Sequence, residues 1–103
     1  MGESVQVNVT VNQISETASC GHARNHQVVM DRPENKGGQD KGAMGGETLL
    51  MALGGCFMSN LLAAAQTRET ELTHTRLDIS GTISDAPSRF TEITMAVSAD
   101  PAG

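Results

Sequence analysis

Val5, Val7, Val9 and Val11 alternate with Gln6, Asn8, Thr10 and Asn12. This period of two predicts a half-buried strand near the start of the chain. Residues 16–25 (ETASCGHARN) are small and polar, and predict a turn or a frayed strand. HQVVM at 26–30 predicts a second strand, which Asp31-Arg32-Pro33 ends because proline has no N–H to give to a ladder. Residues 33–46 hold five of the eleven glycines and predict a mobile, solvated loop.

The longest apolar run follows, and it predicts a helix from Gly46-Glu47 to about Arg68. Glu47 suits the positive end of the helix dipole, and Gly46 serves as a weak cap. Leu50, Leu53, Phe57 and Leu61 fall on one large apolar face, while Ala52, Cys56, Ser59 and Ala63 make a second face of small residues. A helix apolar on several sides is expected to be buried on several sides. Gly54 and Gly55 each cost about 1 kcal/mol relative to Ala in mid-helix, so another backbone is expected to come close there.

Beyond a charged exit at 66–75, alternation resumes through Leu77, Ile79 and Ile83. Asp85-Ala86-Pro87-Ser88 predicts a turn, and Phe90 to Val97 a last strand. The expected class is α+β, in the order β-β-α-β-β around one long central buried helix, as a single domain over residues 1–103. Two strands on each side of a helix make a thin layer. A second copy packing helix on helix would cover what one copy cannot, so a homodimer is expected.

Composition narrows the function. The net charge is −5 with no basic cluster, and Phe57 and Phe90 are the only aromatic residues. Nucleic acid is therefore not expected as a partner. The apolar run is about as long as a short membrane span, but Gly54-Gly55, Cys56, Ser59 and Asn60 dilute it and no basic anchors flank it, so no membrane is expected. The first residues carry no basic or apolar leader pattern, which points to the cytoplasm and to two reduced cysteines. No cofactor motif is present.

Cys56 is the main chemical candidate. In an apolar setting a thiol is inert; beside a cation it reacts, and the helix offers no cation within a turn. Glu47 precedes Cys56 by nine residues. At about 100° per residue the two lie on opposite sides of one helix, about 13 Å apart along its axis. A shared site needs a partner subunit or a third group. Arg24 and Arg32, next to the second strand, are the cations available for that role, and each also reads as a surface Arg. Cys20, His22 and His26 form a thiolate–imidazole constellation without an evident fourth ligand. No metal is expected on balance.

The stretch HQVVMDRPENKGGQDKGAMGGETLLMALGGC resembles the OsmC/Ohr family of organic hydroperoxide reductases, closely over residues 15–65 and in element order beyond. The matching features are the His-x-Val-Val-x-Asp-x-Pro strand end, the Gly-Gly-x-Asp-x-Gly loop and Glu-x-Leu-Leu-x-Ala-Leu-Gly-Gly-Cys. The resemblance implies an intertwined homodimer with two central helices wrapped by sheets. It implies that Cys56 attacks the peroxide bond, that Glu47 is the acidic site residue, and that Arg24 assists the thiolate. The substrate would be an organic hydroperoxide, in oxidative stress defence.

Two departures stand out. Gly45-Gly46 replaces the proline usual before the Glu. Members also continue into a helix with a second, resolving cysteine, so the chain reads as shortened. Cys20 or an external thiol or dithiol would then complete the cycle. Two other readings stay open at this point: a non-catalytic dimerisation domain, and a metal module of Cys20, His22 and His26.

Overall fold

The computed structural model describes residues 2–101. The chain falls into two compact units, Met1–Thr48 and Leu49–Gly103. Its elements run β1 (Thr10–Gln13), β2 (Ser19–Ala23), β3 (His26–Met30), a short 3-10 turn (Glu34–Lys36), α1 (Gly45–Thr67), β4 (Leu72–Ser84) and β5 (Arg89–Pro101). The class is α+β as expected, with three strands rather than two ahead of the helix.

In the first unit, β1, β2 and β3 form an antiparallel sheet in that order. The Ser15 hydroxyl accepts the N–H groups of Thr17 and Ala18 and so shapes the β1–β2 turn. The segment expected to be a turn or a frayed strand supplies the central strand, paired from Ser19↔Met30 to Ala23↔His26 on one side and from Thr10↔His22 to Gln13↔Ser19 on the other. Its small residues allow close packing, and Ala18 and Cys20 are buried. The valine alternation becomes strand only from Thr10 on. A strand needs a neighbour, and Val7, 85% exposed, has none among the described residues.

The glycine-rich segment is not a free loop. The Asp31 N–H donates to the Ala43 carbonyl at 3.0 Å, and Met30 bridges to Ala43, closing its neck. Inside, the buried Asp31 carboxylate accepts the N–H groups of Arg32 (2.7 Å), Gln39 (3.2 Å) and Lys41 (3.3 Å). Gly38 and Gly42 are required by space: a Cβ at either would collide with the Arg32 or the Val29 backbone.

In the second unit, β4 and β5 pair as one long antiparallel hairpin, with irregularities at 73/76 and 82/83. The face of α1 carrying Leu50, Gly54, Met58, Leu61 and Ala65 is its least exposed. It lies on the hairpin side that bears Leu77 and Ile79: a Cβ on Gly54 would strike Ile79 Cδ1 and meet Leu77 Cδ1 at 3.5 Å. The close approach expected at the glycine pair therefore occurs at Gly54, against strand side chains rather than another backbone. Gly55 faces open space.

The helix ends in a Schellman arrangement. The Thr70 N–H reaches the Ala65 carbonyl at 2.8 Å and the Glu69 N–H the Gln66 carbonyl at 3.1 Å, with Glu69 at a φ of 53°. By length and composition alone α1 could cross a membrane. Within the single chain it is not buried on several sides: Leu49, Met51, Leu53 and Phe57 are exposed, and Gly54 is its one buried residue among those described.

Candidate functional site

Cys56 is a free, exposed thiol. It sits two residues beyond Gly54, a rotation of about 200° on the helix, so it lies on the side turned away from the hairpin. Ala52, Ser59 and Ala63 share that side, and Leu49 borders it. Small neighbours leave the sulfur approachable, which favours a thiol that meets a substrate over one that fills a core.

Glu47 is exposed and has a local task. Its Oε1 accepts the N–H of Met44 at 2.8 Å, while the Thr48 N–H and hydroxyl both donate to the Met44 carbonyl at 2.9 Å. Met44 is thus the residue that caps α1, and Glu47 at the third helical position supplies half of a capping box. The helix begins at Gly45, one residue earlier than expected, because this contact holds Met44. Within α1 the nine-residue separation keeps Glu47 on the opposite side from Cys56.

Arg24 occupies the first position of the two-residue turn between β2 and β3. It is exposed there, at a φ of 55° where glycine is the usual choice. Arg32 is also exposed; its backbone serves the loop, its N–H given to Asp31 and its carbonyl taken by Asp40. Arg76 on β4 is already committed, with Nε and Nη2 on the Asp78 carboxylate at 2.9–3.1 Å. The hydrogen bond from Arg76 holds the Asp78 carboxyl below the usual carboxylate range. Arg24 and Glu47 belong to the first unit and Cys56 to the second.

The thiolate–imidazole constellation is split. Cys20 and His22 are two apart on β2 and share one face of the sheet. His26 pairs with Ala23 and therefore faces the other way. Among the described residues no group of three His, Cys, Asp or Glu is placed to hold a metal ion. Cys20 is 5% exposed, and its thiol donates at most weakly to the Gly21 carbonyl at 3.7 Å.

Asp31 is the residue whose task sequence reasoning missed, having placed it at a strand end and in the family motif without a role. It is the buried charged side chain among the described residues, at 4% exposure. Burial pushes its pKa up, but the Lys41 and Arg32 N–H groups, the Thr17 hydroxyl and the Gln39 N–H outweigh burial and hold it below its ordinary value. An aspartate just ahead of a proline and a run of glycines was the available signal, because such loops need an acceptor for their amides.

A loop keyed on a carboxylate, a capped helix with an exposed cysteine and a long hairpin make up an α+β protein. The chain belongs to the OsmC-like protein family, whose model matches residues 38–103. The match extends through both strands after the helix, where the sequence reading found agreement in element order only. The fold is similar to the crystal structure of a Psychrobacter arcticus 273-4 protein, provisionally described as an osmotic stress induced and detoxification response protein. The TM-score is 0.82 at 15% identity, over 97% of this chain and 74% of that one. No curated protein matches the chain.

Proposed function

We propose that this OsmC-like protein is a thiol peroxidase that reduces organic hydroperoxides through Cys56, in oxidative stress defence in the cytoplasm. The observation that carries the reading is the exposed Cys56 on the small-residue side of α1, in a chain of this family. The Cys56 thiolate attacks one peroxide oxygen and the O–O bond breaks. The departing alkoxide takes a proton and leaves as an alcohol, and the sulfur, oxidised by two electrons, becomes a sulfenic acid. Assistance to the thiolate from Arg24 and Glu47 is carried into this reading by the family resemblance alone.

An external dithiol closes the cycle. One of its sulfurs displaces water from the sulfenic acid, and the other then releases Cys56 as thiolate. The burial of Cys20 against the exposure of Cys56 supports an external reductant over an internal one. The working unit is a homodimer. Support comes from the apolar surface one copy leaves uncovered, on α1 (Leu49 57% and Met51 58% exposed) and along the valines ahead of β1.

The test is hydroperoxide consumption with dithiothreitol as reductant. The wild type is expected to turn over and Cys56→Ser to lose at least a hundredfold in rate, on the order of what loss of a nucleophile removes. Equal rates in the two proteins would overturn the reading. A non-catalytic dimerisation domain is the second reading, and one observation favours it: the Glu47 carboxylate is occupied by Met44. It predicts that Cys56 alkylates at neutral pH no faster than a cysteine in an unstructured peptide.

A further inference from the structure

Twelve residues, 32–43, leave β3 and return beside it before α1 begins. Glycine-rich loops of this length are mobile unless something inside accepts their amides. Here the acceptor is one buried carboxylate. Asp31 Oδ1 takes the Arg32 N–H, and Oδ2 takes those of Gln39 and Lys41. A second fastening lies beside it, where the Asp40 N–H reaches the Arg32 carbonyl at 2.9 Å. The absence of space for a side chain at Gly38 and Gly42 shows how closely the loop is drawn back onto the chain leaving β3.

Three residues after Lys41 comes Met44, whose N–H is held by Glu47. The short segment 41–44 is thus gripped at one end by the Asp31 carboxylate and at the other by the Glu47 carboxylate. Between the two, the Ala43 carbonyl is held by the Asp31 N–H. An ionised acceptor binds amides about twice as strongly as a neutral one, and an Asn in this place would turn an N–H toward other N–H groups.

We propose that Asp31 is a positioning residue for the site: its buried carboxylate fixes residues 39–44 and so sets where Glu47 stands on the first turn of α1. The proposal rests on the peroxidase reading for its chemical consequence and on the loop geometry alone for its structural one. Asp31 touches no reacting atom. On the peroxidase reading its effect passes through Met44 and Glu47, so its loss is expected to act in the same direction as a substitution of Glu47.

The experiment compares full-length wild type, Asp31→Ala, Asp31→Asn, Asp31→Glu and Glu47→Gln. It reads residue-resolved amide exchange, the pH profile of Cys56 alkylation by iodoacetamide, and kcat and KM with cumene hydroperoxide. In Asp31→Ala, exchange at Gln39, Lys41 and Met44 is expected to quicken at least tenfold while the β4–β5 amides keep their protection. The alkylation profile is expected to move in the direction that Glu47→Gln moves it. The kcat is expected to fall with KM within twofold of wild type, and Asp31→Glu is expected to recover part of the Met44 protection.

Unchanged exchange at Met44, or an alkylation profile that superimposes on wild type, would overturn the proposal. Should Asp31→Ala not fold, Asp31→Asn gives the same readings, since it retains the side-chain volume. Turnover that survives Cys56→Ser removes the peroxidase reading alone, and exchange at Met44 still decides what Asp31 holds in place.

Discussion

Glu47 Oε1 accepts the backbone N–H of Met44 at 2.8 Å, so the acidic residue singled out for chemistry is also half of a helix cap. The two roles separate by substitution. Glu47→Gln keeps an acceptor for Met44 and is expected to leave stability nearly unchanged, whereas Glu47→Ala is expected to lose about 0.5–1 kcal/mol. Urea denaturation measures both. If Glu47→Gln keeps its stability but loses peroxide turnover, the carboxylate's charge serves the reaction and not only the cap.

The glycine pair in α1 gives substitutions of opposite sign. Gly54→Ala puts a Cβ against Ile79 Cδ1 and is expected to destabilise by about 1–3 kcal/mol through overpacking. Gly55→Ala meets nothing within 4 Å and is expected to stabilise by about 0.5–1 kcal/mol through helix propensity. Denaturant midpoints of the two variants check this. Destabilisation by both would mean that a second surface also presses on Gly55.

Glu69 holds the left-handed position that closes α1, at a φ of 53°. Glycine adopts that conformation without a Cβ penalty. Glu69→Gly is expected to raise stability by about 1 kcal/mol, less the extra freedom it gives the unfolded chain, as read by thermal unfolding.

Asp31 sets an acid limit. Its folded-state pKa is lowered from the ordinary 3.8 by the amides and the hydroxyl around it, so its contribution is in place above that value. It is lost as pH falls through the lower folded value. The gap in stability between wild type and Asp31→Asn is therefore expected to be steady from about pH 7 to about pH 5 and to close as pH falls further. Urea titrations across that range measure the gap, and a gap independent of pH would contradict the account.

Much of the second unit was legible in the sequence. Apolar spacing from Leu50 onward marked α1 to within a residue or two of Gly45–Thr67, and alternation through Leu77, Ile79 and Ile83 marked the body of β4, which begins at Leu72, inside the expected exit at 66–75. The first unit was harder. Ser19–Ala23 is a central strand built from Ser, Cys, Gly, His and Ala, residues too small to print a hydrophobic period. Val5, Val7 and Val9 print the period clearly and yet form no strand in one chain, because pairing needs a neighbour that spacing cannot supply.

The candidate site divides in the same way. The placing of Cys56 on the small-residue side of α1 was readable from the 3.6-residue period. The cap formed by Glu47 and the keying of the loop by Asp31 were not readable. Both depend on a carboxylate folding back onto backbone amides, which leaves no mark in residue spacing.

The claim that Cys56 is the group oxidised by hydroperoxide is tested most directly by trapping its oxidised form. The reduced protein is treated with one equivalent of cumene hydroperoxide in the presence of dimedone, and its peptides are weighed by mass spectrometry. The account predicts a dimedone adduct on the peptide containing Cys56 and none on the peptide containing the buried Cys20. Hydroperoxide left unconsumed, or an adduct on Cys20 with Cys56 unmodified, would contradict it.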